Sequence, residues 1–365
     1  MIPTITPGSS PSWRFLVGRV DDPIPGTGVL QANGYFDISL PTSIPERIRT
    51  EGRPDSIKAQ LRLPRTYLHG DTTSTVKIEV LNLAGDAEMN GARADTTFEV
   101  GSSATQGTVA LSPTNTLLTI DLPPSWLTQA RLDDLRRNDA QKDSLNRVHG
   151  FKLTTPNTED VVVGFSSTSA ELRLTHKVAD TSVTYSSFKT FTHIEQVGMP
   201  KDIQSPHKLI QGGTGVGLEM KWNFAKPPLD TLSNDPLNGA QIFVPIDTME
   251  MKSYNRPSFT RPRPKGYRMF VARSSGDSPL RLRPSAAPGA AQVSNDVAFS
   301  LFRESLRKGS PVFDALKLFV ADRKSIPTNR DATLTPGLPS TLPVLVRTDS
   351  LSPGPPRATL TVTPL

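Results

Sequence analysis

An ordered internal repeat constrains this chain more than any single motif. Residues 56–64, SIKAQLRLP, are echoed by residues 237–245, LNGAQIFVP, with Ala59-Gln60 answered by Ala240-Gln241 and an alternating apolar triplet and proline following in both. Downstream, VKIEV (76–80) is answered by YRMFV (267–271), FKLTT (151–155) by LKLFV (316–320), and AELRLTH (170–176) by ATLTVTP (358–364). The order is kept throughout, with offsets between 165 and 191 residues. A repeat of this length implies one folding unit used twice, and 365 residues hold two domains of ordinary size.

The repeated pieces read as strands. In 56–63, Ile57, Ala59, Leu61 and Leu63 share one face, and Lys58, Gln60 and Arg62 the other, the period-two pattern of a half-buried strand. Thirty-four prolines and 25 glycines against 6% aromatic residues favour many short elements joined by turns. The expected fold class is all-β: two tandem jelly-roll-like antiparallel β-sandwich domains, with a short helical insertion in the first. That insertion starts near Ser125, read as an N-cap, with Leu127, Ala130, Leu132 and Leu135 near helical spacing. The expected boundaries are an extended N-terminal arm at 1–24, domain 1 at 25–196, a linker at 197–208 and domain 2 at 209–365. The glycine-rich 212–217 (GGTGVG) invites a phosphate-loop reading, but Leu218, Met220 and Trp222 alternate with Glu219 and Lys221. A strand follows the glycines where a phosphate cradle needs a helix.

The first copy, SIKAQLRLPRTYLHGDTTSTVKIEVLNLAGD with the later TLLTIDLPPSW and VVVGFSSTSAELRLTH, resembles the DNRLRE-type β-sandwich domain of secreted and cell-surface bacterial proteins. The second, LIQGGTGVGLEMKW with LNGAQIFVPIDT, GYRMFVARSSG and RATLTVTPL, is similar to DUF4270-type surface proteins of the Bacteroidota. This resemblance implies a sandwich fold and an extracellular or outer-surface location. One departure stands out: such proteins are commonly lipoproteins, and this chain has no cysteine to carry lipid.

Elsewhere the sequence is sparing with chemistry. The absence of cysteine excludes disulfides, thiolate metal sites and a cysteine nucleophile. The formal charge of +6 comes from scattered charges of both signs, so no nucleic-acid partner is expected. No apolar run reaches 18 residues, and the N-terminus lacks the basic and apolar regions of a signal peptide. His69, His149, His176, His193 and His207 show neither metal-ligand spacing nor an acidic partner at a suggestive offset. Asp21-Asp22, Asp133-Asp134 and Glu159-Asp160 are adjacent acids without a visible catalytic partner. Oxygen ligands at 69–74 and 245–251 read as polar turns rather than calcium loops. No catalytic residue, metal or cofactor is therefore expected.

Two regions remain as binding candidates. Residues 255–284 concentrate Arg256, Arg261, Arg263, Lys265, Arg268 and Arg273 with interleaved aromatics, suited to an anionic ligand or a protein interface. Trp13 and Phe15, behind a proline-rich start, are candidates to anchor the arm on a neighbouring subunit. The resulting expectation is a non-catalytic structural or assembly component of a bacterial surface or appendage. Its partners would be other surface proteins or further copies of itself. The alternative is a carbohydrate-binding module for a polysaccharide, for which Trp13, Tyr185 and Trp222 are the platform aromatics, although Trp222 alternates with core positions and is expected to be buried.

Overall fold

The computed structural model describes residues 14–39, 41–71, 75–85, 87–89, 92, 96–110, 116–136, 148–156, 160–178, 180–197, 207–211, 218–232, 235–260, 268–273, 280–284, 290–293, 295–310, 316–321, 343–348 and 357–363. Of these, 108–110, 248, 268–273, 280–284, 290–293, 295–298, 316–321, 343–344, 347 and 357 are described by backbone alone. The protein is all-β, built from large antiparallel sandwich-like sheets with a few short helices.

In the first half the strands are β1 (Arg14–Asp21), β2 (Val29–Ile38), β3 (Ile57–Asp71), β4 (Thr75–Leu83), β5 (Val100–Ala110), β6 (Leu117–Asp121), β7 (Phe151–Thr154), β8 (Val161–Ser166), β9 (Glu171–His176) and β10 (Ser182–Val197). They pair in the order β1-β8-β3-β9-β10-β2-β7-β4-β5, with β6 also on β3. Because β1 pairs with β2 as well, six strands (β1, β8, β3, β9, β10 and β2) close into a ring. Alternation along these strands sends Phe15, Val17, Phe36, Leu61, Leu63, Phe165, Leu172, Leu174, Val183 and Tyr185 into one buried core. Phe15 stacks on Phe36 at 5.4 Å and leans on Phe165 at 5.7 Å.

This corrects the sequence expectation for the N-terminus. The proposed arm of residues 1–24 does not extend past the start of β1, and Phe15 is fully buried in the core rather than available to a neighbour. Phe15, Leu16 and Val17 are consecutive and all buried, Phe15 and Val17 in one cluster and Leu16 in another, so the strand gains more by completing a sheet than by lying in water.

Long β10 pairs with β9 through Ser186 and with β2 from Ser187, and a bulge follows between Ser187 and Thr190. Asp37 of β2 fastens that bulge: its Oδ1 accepts the backbone N–H of Phe188 at 3.2 Å and that of Lys189. Burial is the largest influence on the Asp37 carboxyl and pushes its pKa up, against the lowering effect of those amides. A raised carboxylate pKa favours the neutral form in the fold. Its stabilising contribution is present below the ordinary value of 3.8 and is lost as pH rises through the raised value. Asp37→Asn is therefore expected to remove that part of the pH dependence, measured by denaturant unfolding between about pH 3 and 6.

The helical insertion is a turn at Pro124–Trp126 followed by α1 (Gln129–Arg136). Thr128, not Ser125, caps it, with Oγ1 accepting the N–H of Arg131 at 3.3 Å. The helix covers an end of the sheet by burying Leu132 and Leu135. Tyr185 Oη donates to the Leu135 carbonyl at 2.8 Å, satisfying a backbone acceptor at the helix C-terminus.

The second half contains β11 (His207–Gln211), β12 (Leu218–Met220), β13 (Leu237–Pro245), α2 (Thr248–Ser253), β14 (Phe259–Thr260), β15 (Arg268–Arg273), β16 (Leu280–Pro284), β17 (Ala290–Val293), α3 (Asn295–Lys308), β18 (Leu316–Ala321), β19 (Pro343–Arg347) and β20 (Arg357–Val362). Seven of these strands pair in the order β12-β18-β15-β16-β17-β13-β20, and β11 pairs with β19. Helix α3 was not expected from sequence. It buries Leu301, Phe302, Ser305 and Leu306, spaced along one helical face, in the second core. It ends at Gly309 (φ +62°), where the N–H of Gly309 reaches the Leu306 carbonyl and that of Ser310 the Ser305 carbonyl.

The two halves repeat each other at the level of register. Val80 faces Leu153 between β4 and β7, and their sequence counterparts Val271 and Leu318 face each other between β15 and β18. Gly34 faces Leu153 between β2 and β7, as Leu218 faces Leu318 between β12 and β18. Leu63 faces Leu118 between β3 and β6, as Val244 faces Ala291 between β13 and β17. Both halves also carry a helix between the last two of these elements, α1 in one and α3 in the other. One sequence match slides: Ala59 faces Leu174, whereas Ala240 faces Leu360, the sequence counterpart of Leu172. The slide is two residues, so the inward face is kept.

Candidate functional site

Several polar side chains with long-range contacts gather where the halves meet. Strand β14, from the second half, adds to the end of β3, with Phe259 opposite Asp71 and Thr260 opposite Gly70. From the first half, Ile24 enters an apolar cluster with Leu209, Met251 and Leu345. Gln196 spans the seam, donating from Nε2 to the Thr27 carbonyl at 2.8 Å and to Gln211 Oε1 at 3.4 Å.

The loop that presents Ile24 is shaped by Asp22. Asp22 Oδ1 accepts the N–H of Ile24 at 3.0 Å, while Thr27 Oγ1 donates to the backbone carbonyls of Asp22 and Ile24 at 2.9 and 2.8 Å. The other carboxylate oxygen, Oδ2, lies 2.8 Å from His69 Nε2. Both side chains of the pair are buried, and the His69 ring meets Phe259 edge-on with centroids 5.7 Å apart. Across the seam a second pair forms, His207 Nε2 to Asp247 Oδ2 at 3.0 Å. Asp247 also caps α2, its Oδ1 accepting the N–H of Glu250 at 2.8 Å, and its own N–H bonds the Leu345 carbonyl.

A histidine held by a carboxylate is the arrangement of a general base, but a base must reach substrate. His69 has no exposed surface, so its pair acts as a buried fastener. Sequence reasoning missed both pairs. The partners are 47 and 40 residues apart and meet only through strand pairing, so no local spacing signals them. Truncating Ile24 to alanine is expected to cost about 2–5 kcal/mol and to split thermal unfolding into two transitions, read by calorimetry.

The sequence-derived candidates fall elsewhere. Arg256 is exposed in the turn before β14. Arg268 and Arg273 open and close β15, and their odd separation puts them on opposite faces of that strand. Arg261, Arg263, Lys265, Trp13 and residues 212–217 lie outside the described residues. The sugar-platform reading is corrected at Tyr185, which is fully buried with its hydroxyl pKa raised by burial. Trp222 is half-buried and packs edge-on against Phe302 at 5.3 Å.

Two of the adjacent acids hold backbone amides. Asp134 Oδ2 accepts the N–H of Val148 at 2.9 Å, and Asp160 Oδ1 that of Asp21 at 2.6 Å. Among the described residues no three histidine or acidic side chains cluster as a metal site, and no helix is long and apolar enough to cross a membrane. No protein-family model and no curated protein matches the chain. The likeness to DNRLRE-type and DUF4270-type domains thus rests on the strand patterns alone.

Proposed function

We propose that this protein is a non-catalytic structural or assembly component of a bacterial cell surface or surface appendage, acting outside the cell. The observation that carries this reading is the seam. The second half lends a strand to the first half's β3, and the first half plugs Ile24 into the second. These contacts tie the two halves to each other at more than one point among the described residues. The His69–Asp22 pair lies within the first half, beside the loop that presents Ile24, and the His69 ring meets Phe259 of the second. The DNRLRE-like and DUF4270-like strand patterns add a surface location and protein neighbours, including further copies of the chain.

The test is the native mass of the protein isolated gently from its source, by light scattering with electron microscopy of the same fraction. A regular particle or a stable complex with surface proteins is expected. A lone chain that binds an acidic or neutral polysaccharide saturably would replace this reading with glycan recognition.

A further inference from the structure

One position is filled in the first half and, among the described residues, open in the second. In the first half, β9 lies between β3 and β10, and β10 closes the ring by pairing onward with β2. The second-half counterpart of β9 is β20, which pairs with β13. Among the described residues, no strand pairs with its other edge, and the seven-stranded order ends there.

The unpaired edge is defined at the level of single amides. The N–H of Thr363 bonds the Pro236 carbonyl on the β13 side. By strand alternation, the amides of Thr361 and Thr359 face β13 as well, and those of Ala358, Leu360 and Val362 face outward. The first half shows the same parity. Lys177 N–H bonds the Ser56 carbonyl on the β3 side, and His176 N–H bonds Thr181 on the β10 side.

Burial follows the same difference. Leu172 and Leu174 of β9 are completely buried, opposite Tyr185 and Val183 of β10. In β20 the corresponding inward residues, Ala358 and Leu360, are only partly buried against the second core.

We infer that the outer edge of β20 is an acceptor for a strand supplied by another polypeptide. That strand would run antiparallel to β20 with alternating apolar side chains, a β-branched residue opposite Leu360 and a large aromatic residue opposite Ala358. The occupant's chemistry is read from the first half, where Val183 and Tyr185 take these two places. An edge strand with half-covered apolar residues is a template for such addition. The inference deepens the assembly reading and rests on it for the source of the strand.

The test uses the full chain and a peptide with the sequence of β10, SVTYSSFKTFTHIEQV, as the probe. In the isolated chain, residue-resolved hydrogen exchange is expected to show the amides of Ala358, Leu360 and Val362 exchanging at least about 100-fold faster than those of Thr359 and Thr361. Saturating peptide is expected to slow the fast set at least about 10-fold. Val362→Lys, an inward charge on the edge, should abolish that slowing, whereas Thr361→Lys, on the exposed face, should leave it intact. Protection of Leu360 and Val362 in the isolated chain equal to that of Thr359 and Thr361 would mean that the chain fills the position itself, and would overturn the inference. So would peptide slowing that Val362→Lys leaves unchanged, or no slowing at all. Native particles that form equally well with Val362→Lys would also overturn it while leaving the assembly reading intact. A native single chain whose edge amides still slow with peptide would sink the assembly reading and support the acceptor edge.

Discussion

Phe15→Ala is expected to lower the unfolding free energy by about 3–5 kcal/mol, the range for deleting a buried aromatic side chain and leaving a partly unrelaxed cavity. The ring is fully buried, with Phe36 on one side and Phe165 on the other, so the space it leaves is lined by side chains already fixed by their own strands. Urea denaturation of the purified variant measures the effect. A loss below about 0.5 kcal/mol, usual for a surface substitution, would mean that Phe15 belongs to an arm after all and that the ring closes without it.

A comparable loss is expected from the smallest possible enlargement of β1. Gly18 has φ +135°, a conformation that residues with a side chain rarely adopt, and a Cβ there would sit 2.1 Å from the Val161 carbonyl oxygen. The strained backbone costs about 1–3 kcal/mol. The forced shift of β8 costs about another 1–3 kcal/mol, so Gly18→Ala is expected to destabilise by about 2–6 kcal/mol in the same assay. Gly85→Ala is the control. Nothing lies within 4 Å of a Cβ at Gly85, and the change should be neutral or stabilising by up to about 1 kcal/mol. Equal effects at the two glycines would refute the close approach of β1 and β8.

The sequence and the structure agree where the physics is local. Alternation in 57–63 and in 170–176 is visible because each residue's face is fixed by the strand period alone, and those side chains point inward as that period requires. Tyr185 obeys the same rule, two residues from Val183, and faces inward rather than standing as part of an exposed platform. Helix α3 left signs that were legible: Asn295 and Asp296 at its start, the spacing of Leu301, Phe302 and Leu306, and Gly309 at its end. The His69–Asp22 and His207–Asp247 pairs had no sign at all. Each joins residues at or just beyond strand ends, and such ends meet only after the sheet order is decided. The same holds for Gly18, which lay within the expected arm and shows its constraint only once β8 is laid across β1.

The closed ring of the first half also sets a timetable for synthesis. The N–H of Leu16 donates to Thr192 Oγ1 at 3.0 Å across 176 residues, and β1 finds its second neighbour only when β8 has been made. Contacts of such span form late and slowly, because the chain between them must be closed first. A nascent chain that has reached β7 carries β1 and β2 as a pair with one edge still awaiting β8 and the other awaiting β10. During that interval it is vulnerable to wrong pairing. A chaperone that shields the emerging N-terminal strands until about residue 197 would raise the yield of folded protein more than one acting on the second half alone.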